Sequence, residues 1–164
     1  MDGRSLYDED ILAWAEQQAS ALRRLAKDRR GLPNELDLEH LAEEIEDVGK
    51  SELHRAESFL RLLLVHLLKI ASAPQARSLD HWRREARLFQ GELAESMTAS
   101  IRAKLDLDRR WEQARDIADG DLVRENDRLL SGLTASCPLG FDELLADRAD
   151  VDALAGRIRS AARS

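Results

Sequence analysis

The sequence predicts an all-α protein: a bundle of long antiparallel helices followed by short C-terminal helices. Apolar residues recur at steps of three and four along nearly the whole chain, and no stretch shows the every-second-residue alternation of a strand or an internal repeat. Punctuation supports the same fold. Gly31-Leu32-Pro33-Asn34 and Ala73-Pro74 cut the pattern into long segments, since the residue before a proline is pushed out of the helical region.

Asp8 is placed to cap a first helix, with Tyr7 and Leu12 as a hydrophobic staple and Ile11, Ala15, Leu22 and Leu25 along its inner stripe. Asp37 repeats the arrangement, flanked by Leu36 and Leu41, so a second helix starts there with Leu38, Leu41, Ile45 and Val48 facing inward. From Leu53 the stripe resumes as Ala56, Leu60, Leu63, Leu67 and Ile70, but the five-residue step from Val48 to Leu53 shifts its phase and predicts a kink or break at Gly49. Trp82, Ala86, Phe89, Leu93, Met97, Ile101 and Leu105 predict one further long helix, interrupted from Leu105 to Asp108. Trp111, Ala114 and Ile117 follow on a helix ending at Gly120. A short helix over Leu122 to Leu130, a loop from Thr134 to Gly140, Leu144 with Leu145, and an amphipathic tail carrying Val151, Leu154 and Ile158 complete the reading. At 164 residues the chain can bury about 70% of its unfolded surface. The expected organisation is a single helical domain over 1–148 with a C-terminal helical extension at 149–164.

With 43% hydrophobic and 35% charged residues, the composition is that of a folded chain with a heavily charged surface. One cysteine, Cys137, cannot form an internal bridge, and MDGRSLYDED has neither a basic n-region nor an apolar h-region, so a cytoplasmic location is expected. The most apolar run, Phe59 to Ile70, is interrupted by Arg61, His66 and Lys69 and falls well short of the ~20 residues of a membrane span. It reads as a buried helix, apolar almost all round, for which a homodimer would supply cover. A net charge of −7 argues against general nucleic-acid binding. Glu35 to Glu57 holds nine acids against Lys50 and Arg55, while Arg23 to Arg30 and Arg77 to Arg87 are basic, a distribution expected of solvated helix faces that complement one another.

Gly49-Lys50-Ser51 has the ending of a phosphate-binding loop, but Glu44 stands at the first glycine position and the flanks are helical, so the match is accidental. On an even helix Asp37, His40, Glu44, Asp47, Ser51 and His54 fall on one face. His40 with Glu44 and His81 with Glu85 have metal-pair spacing, yet Glu-x-x-His and His-Glu-x-x-His are absent, and neither a metal site nor a cofactor is expected. Glu43-x-x-Glu46 and Glu44-x-x-Asp47 are similar to one half of the magnesium site of all-helical nucleotide pyrophosphohydrolases. The opposing half is missing, since the later pair Glu92 and Glu95 does not end in aspartate. Cys137-Pro138 has no histidine nearby in sequence and is read as incidental. His66, between Leu62, Leu63 and Ile70, is expected to be a satisfied core histidine. Its partner would be Glu44 if the chain turns back at Gly49, and Asp10, Asp80 or a second subunit if it does not.

Several of these residues together resemble a bacterial family, the domain of unknown function twenty-nine. They are Tyr7-Asp8-Glu9-Asp10 with Trp14, Glu35-Leu36-Asp37, Leu41-Ala42-Glu43-Glu44-Ile45-Glu46, Gly49, Ser58, His66-Leu67-Leu68-Lys69, Trp82 and Cys137-Pro138. The resemblance covers residues 6 to 148, departs between Gly120 and Ala135, and leaves the tail after Asp147 outside. It implies an all-helical fold and a bacterial source, no activity, and a polar cluster of Asp10, Glu43, Glu44, His66 and Lys69 as the place to look for a site. The functional expectation is a protein-interaction or regulatory module with a protein partner. A metal-dependent hydrolase of a nucleotide-like phosphate compound is the alternative, and nucleic-acid binding through the arginine clusters is a third class.

Overall fold

Helices account for all the regular structure in a computed structural model of the chain, which describes residues 5–28, 30–147 and 149–163. Among the described residues there are eight helices and no strand, and no helix is long and apolar enough to cross a membrane. The chain divides into two compact units, Met1–Ala56 with Ser96–Leu105, and Glu57–Glu95 with Asp106–Ser164.

The first unit contains α1 (Leu6–Glu9), α2 (Ile11–Lys27), the N-terminal part of α3 (Leu38–Ser72) and α5 (Ala99–Lys104). Asp8 does not cap a long first helix. It accepts the amide and hydroxyl of Ser5 at the start of the single-turn α1, and Asp10 caps α2, its Oδ1 accepting the Ala13 amide at 3.1 Å. The inner stripe of α2 is Leu12, Ala15 and Ala19, while Leu25 is exposed. Asp37 caps α3 as the sequence predicts, its side chain accepting the His40 amide at 3.2 Å.

The expected break at Gly49 is absent, because α3 is one helix of 35 residues. Its buried stripe runs Leu38, Ala42, Gly49, Ala56, Leu60, Leu63, Leu67 and Ile70 without a change of phase. In the N-terminal part small residues occupy the inside, and a Cβ at Gly49 would meet the Ala15 Cβ and the Leu12 Cδ1 at 3.0 Å. Gly49 is therefore the point of close approach to α2, where a missing side chain lets two backbones come together. Leu41 and Val48, expected inside, lie beside this stripe and are 43% and 47% exposed.

The second unit holds the C-terminal part of α3, α4 (Leu79–Ser96) as far as Glu95, α6 (Leu107–Arg124), α7 (Phe141–Leu144) and α8 (Val151–Ala162). The single helix expected from Trp82 to Leu105 is two, since Thr98 takes extended backbone and accepts the Ile101 amide as the N-cap of α5. The apolar period passes through this cap undisturbed, which hides it. Helix α6 continues through Gly120 to Arg124, and no separate short helix forms over Leu122 to Leu130: the chain leaves α6 after Arg124, and Asn126 adopts a φ of 61°. Ile117 is exposed, with Ala118 and Leu122 buried in its place.

Trp82 and Trp111 are buried in this unit, and the Trp111 indole donates to the Thr134 carbonyl at 2.9 Å. That bond, with Leu130 N–H to Ser72 Oγ at 3.0 Å and Cys137 N–H to Asp108 Oδ1 at 2.8 Å, pins the segment that follows α6. In the tail Val151, Leu154 and Ile158 are buried, as the period predicts, and Arg83 on α4 holds Asp152 on α8 at 2.9 Å. Leu60, Leu63, Leu64, Leu67, Leu68 and Ile70 are all fully buried, as expected of a helix apolar almost all round.

Two glycines separate the roles of space and propensity. Gly120 has nothing within 4 Å of an added Cβ, so Gly120→Ala should stabilise by about 0.5–1 kcal/mol through helix propensity alone. Gly49→Ala gains the same propensity but drives a methyl against the Ala15 Cβ, which cannot rotate aside, and overpacking of about 1–3 kcal/mol should leave a net loss. Urea melts of the two variants should shift in opposite directions.

Candidate functional site

The polar residues singled out in the sequence are divided between the units: Asp10, Glu43 and Glu44 belong to the first, His66 and Lys69 to the second. Asp10 has a structural task. Besides the Ala13 amide, its carboxylate accepts the Ser100 amide at 2.9 Å and the Ser100 hydroxyl at 2.5 Å, so one buried group joins the starts of α2 and α5. Burial pushes this carboxyl up, but the bonds from Ser100, Ala13 and Thr98 together bring it below the usual aspartate value.

Glu43 and Glu44 are exposed, and neither enters an ion pair among the described residues. Their neighbours are engaged. Glu46 holds Arg23 at 2.9 Å, and Lys50 lies 3.0 Å from Asp47. His40 Nδ1 is 2.5 Å from Asp37 Oδ2, and that bond, helped by the charges of Asp37, Glu43 and Glu44, raises the imidazole above its ordinary pKa. The partner of His40 is thus its own helix cap, not Glu44. Among the described residues no group of three or more His, Cys, Asp or Glu side chains is placed to hold a metal ion.

His66 is half-buried and finds none of the carboxylate partners expected for it. Uninterrupted helix separates it from Glu44, and its Nδ1 lies 2.8 Å from the Leu62 carbonyl one turn earlier. A carbonyl only accepts, so Nδ1 carries the proton. Its ring centroid stands 5.4 Å from that of Phe89. Burial lowers its pKa, the Leu62 bond opposes this, and the charge of Lys69 lowers it further, with smaller opposing effects of Glu85 and His81.

Lys69 is buried at the end of α3, its ammonium 4.7 Å from the centroid of the Trp82 ring. Two carboxylates serve it, Asp121 of α6 at 3.5 Å and Glu125, the C-cap of that helix, at 4.0 Å, and Asp121 also holds Arg124 at 3.2 Å. Glu125 in addition lines a cavity of about 640 Å³ with Ser72, Gln75, Arg77, Asn126 and Asp127, at the C-terminal ends of α3 and α6. The sequence reading missed Asp121 and Glu125 because it ended that helix at Gly120; their four-residue spacing on a continued helix was the available signal. It also missed Arg110, whose buried guanidinium holds Glu57 at 2.5 Å and donates to Gln113 at 2.9 Å. Cys137 is chemically quiet, since burial pushes its thiol up to about 11 and leaves little thiolate at neutral pH.

The remaining feature is the outer side of α3 in the first unit. Leu41, Glu44 and Val48 stand on successive turns, within an arc of about 60° at 100° per residue, and all are exposed. Ile45, half-buried, adjoins them on the inner flank, and Asp47 on the outer.

A family model described as "Domain of unknown function DUF29" matches residues 6–149. The chain is also similar to a crystallographically determined alpha-helical protein of unknown function from Rhodospirillum rubrum, with 37% sequence identity and a TM-score of 0.88. The match covers 94% of this chain and 98% of that one. No curated protein matches.

The His66 geometry generates a pH prediction. Its folded pKa lies below the ordinary histidine value of about 6.5, so above that pH both states are neutral and the residue adds no pH dependence. As pH falls through 6.5 the unfolded chain takes up the proton first, and stability is lost until the folded pKa is passed. His66→Leu should remove this acid-side loss. It should cost little at neutral pH, because the Leu62 carbonyl keeps its helical bond and no carboxylate is left unpaired. Urea melts of both proteins across the acid range check this.

Proposed function

Because the chain belongs to the family described as domain of unknown function DUF29, whose description carries no activity, we propose its role from its own surface: a protein-interaction or regulatory module that binds a protein partner through the first unit. One observation carries the reading. Among the described residues, six of the nine exposed large apolar side chains, Leu6, Tyr7, Leu25, Leu36, Leu41 and Val48, belong to the first and smaller unit. Singly exposed apolar residues are ordinary, whereas apolar residues repeated along one side of a helix among charged neighbours suit a surface that another molecule covers. Leu41 and Val48 supply its most regular part, since both project from the same side of a helix whose inner stripe is already buried without them.

The alternative, a metal-dependent hydrolase of a nucleotide-like phosphate compound, draws less support from the same residues. Of its Glu-x-x-Glu pair, Glu46 is committed to Arg23.

Affinity capture from a lysate of the organism that encodes the chain tests the reading. Full-length protein should retain a defined partner that the Leu41→Ser/Val48→Ser double variant loses and the Leu88→Ser variant, altered at an exposed leucine of the second unit, keeps. A captured set unchanged by the double variant would remove the first unit from the interaction.

A further inference from the structure

The interaction reading leaves the partner's chemistry open, and the surroundings of Leu41 and Val48 narrow it. The two residues are seven apart, which is two turns, the repeat at which one helix meets another along a shallow seam. An extended strand would instead seek an open sheet edge, and the described residues contain no strand to offer one. The seam is bordered by negative charge. Glu44 sits between the two apolar residues and, like the neighbouring exposed Glu43, enters no ion pair among the described residues, while Asp47 flanks them. Lys50 is itself shared between Glu46 at 3.5 Å and Asp47 at 3.0 Å. Acids left over after the internal pairs are made would repel a second acidic surface and attract a basic one.

Resting on the interaction reading above, we propose that the partner segment is a basic amphipathic helix lying along α3 in the first unit. Its apolar residues cover Leu41 and Val48, and its lysine or arginine side chains meet Glu44 and Asp47. Leu41 to Val48 spans about 10 Å, so three to four turns of partner helix suffice to cover the seam and reach both carboxylates. The contact is small and its charges lie at the rim, so affinity is modest and falls with salt.

The test uses the full chain and two synthetic helical peptides of about 18 residues, long enough to hold helix on binding. Both carry leucines on one face at steps of three and four, with lysines elsewhere in the first and glutamates in the second. The lysine peptide should bind by fluorescence anisotropy and the glutamate peptide should not. Leu41→Ser/Val48→Ser should weaken binding by about tenfold or more, the loss expected when interface anchors are truncated. Glu44→Gln/Asp47→Asn should weaken it several-fold at low salt and match the wild type near 1 M, where the Debye length is about 3 Å. Leu88→Ser should change nothing. Lysine-peptide binding indifferent to the Leu41 and Val48 replacements would reduce the effect to general attraction to an acidic protein and overturn the proposal. Equal binding of the glutamate peptide would also overturn it, while leaving the interaction reading standing on the capture experiment. Self-association of the free protein that disappears in the Leu41→Ser/Val48→Ser variant would assign the seam to a second copy of the chain, and would overturn the basic-helix proposal.

Discussion

Everything distinctive about the first unit follows from how closely α2 and α3 approach at Gly49. With no side chain there, Leu12 and Ala15 of α2 come within 3.0 Å of where a Cβ would stand. That contact sets the rotation of α3 about its own axis, because the residues that share the side of Gly49 must go inside: Leu38, Ala42 and Ala56. Leu41 and Val48, one position before Ala42 and Gly49, are then carried to the outside although they are larger and more apolar than the residues they adjoin. Burial favours large side chains, but the gain from burying one is proportional to area and cannot be realised where two backbones already touch. The exposed seam is thus a geometric consequence of a small-residue helix contact.

Along the same helix the environment reverses. Beyond Ala56 the inner positions become leucines, and from Leu60 to Ala73 most side chains are buried and none is exposed. Three polar groups within or against this part are satisfied locally: His66 by a carbonyl one turn away, Lys69 by the Trp82 face and two carboxylates at the C-terminal end of α6, and Glu57 by Arg110. Such groups cost free energy unless partnered, and the partners found are near at hand. In the first unit Asp10 does comparable work at the junction of two helix starts, where backbone N–H groups and the local dipole both favour a carboxylate.

Long apolar periods and caps with a side-chain acceptor were legible in the sequence: the Asp37 cap, the end at Ala73-Pro74, the Leu60–Ile70 core and the tail positions Val151, Leu154 and Ile158 all stand where the pattern put them. The resemblance was legible too, read over 6 to 148 and matched over 6–149. What failed did so for identifiable reasons. A stripe traced through large residues went to Leu41 and Val48 and so manufactured a phase break at Gly49, when alanines and a glycine carried the true inner face. Gly120 looked like a helix end, yet an exposed glycine costs only about 1 kcal/mol inside a helix that continues past it. Thr98 capped a new helix without disturbing the spacing of Leu93, Met97 and Ile101. For the candidate site, residue type pointed to carboxylate partners for His66, whereas a helix carries its own carbonyls, and no sequence pattern announces which one a ring will take.

Helix α3 has a face committed to the core and, beside Gly49, an exposed apolar face that the fold does not use. A stability scan along this one helix tests this most directly. Leu60→Ala and Leu67→Ala, at fully buried positions, should each cost about 2–5 kcal/mol in urea melts. Leu41→Ser and Val48→Ser should each stay within about 0.5 kcal/mol of the parent protein, as surface substitutions do. Losses at Leu41 and Val48 as large as those at Leu60 and Leu67 would mean that both side chains are already spent on the fold, and would contradict the account.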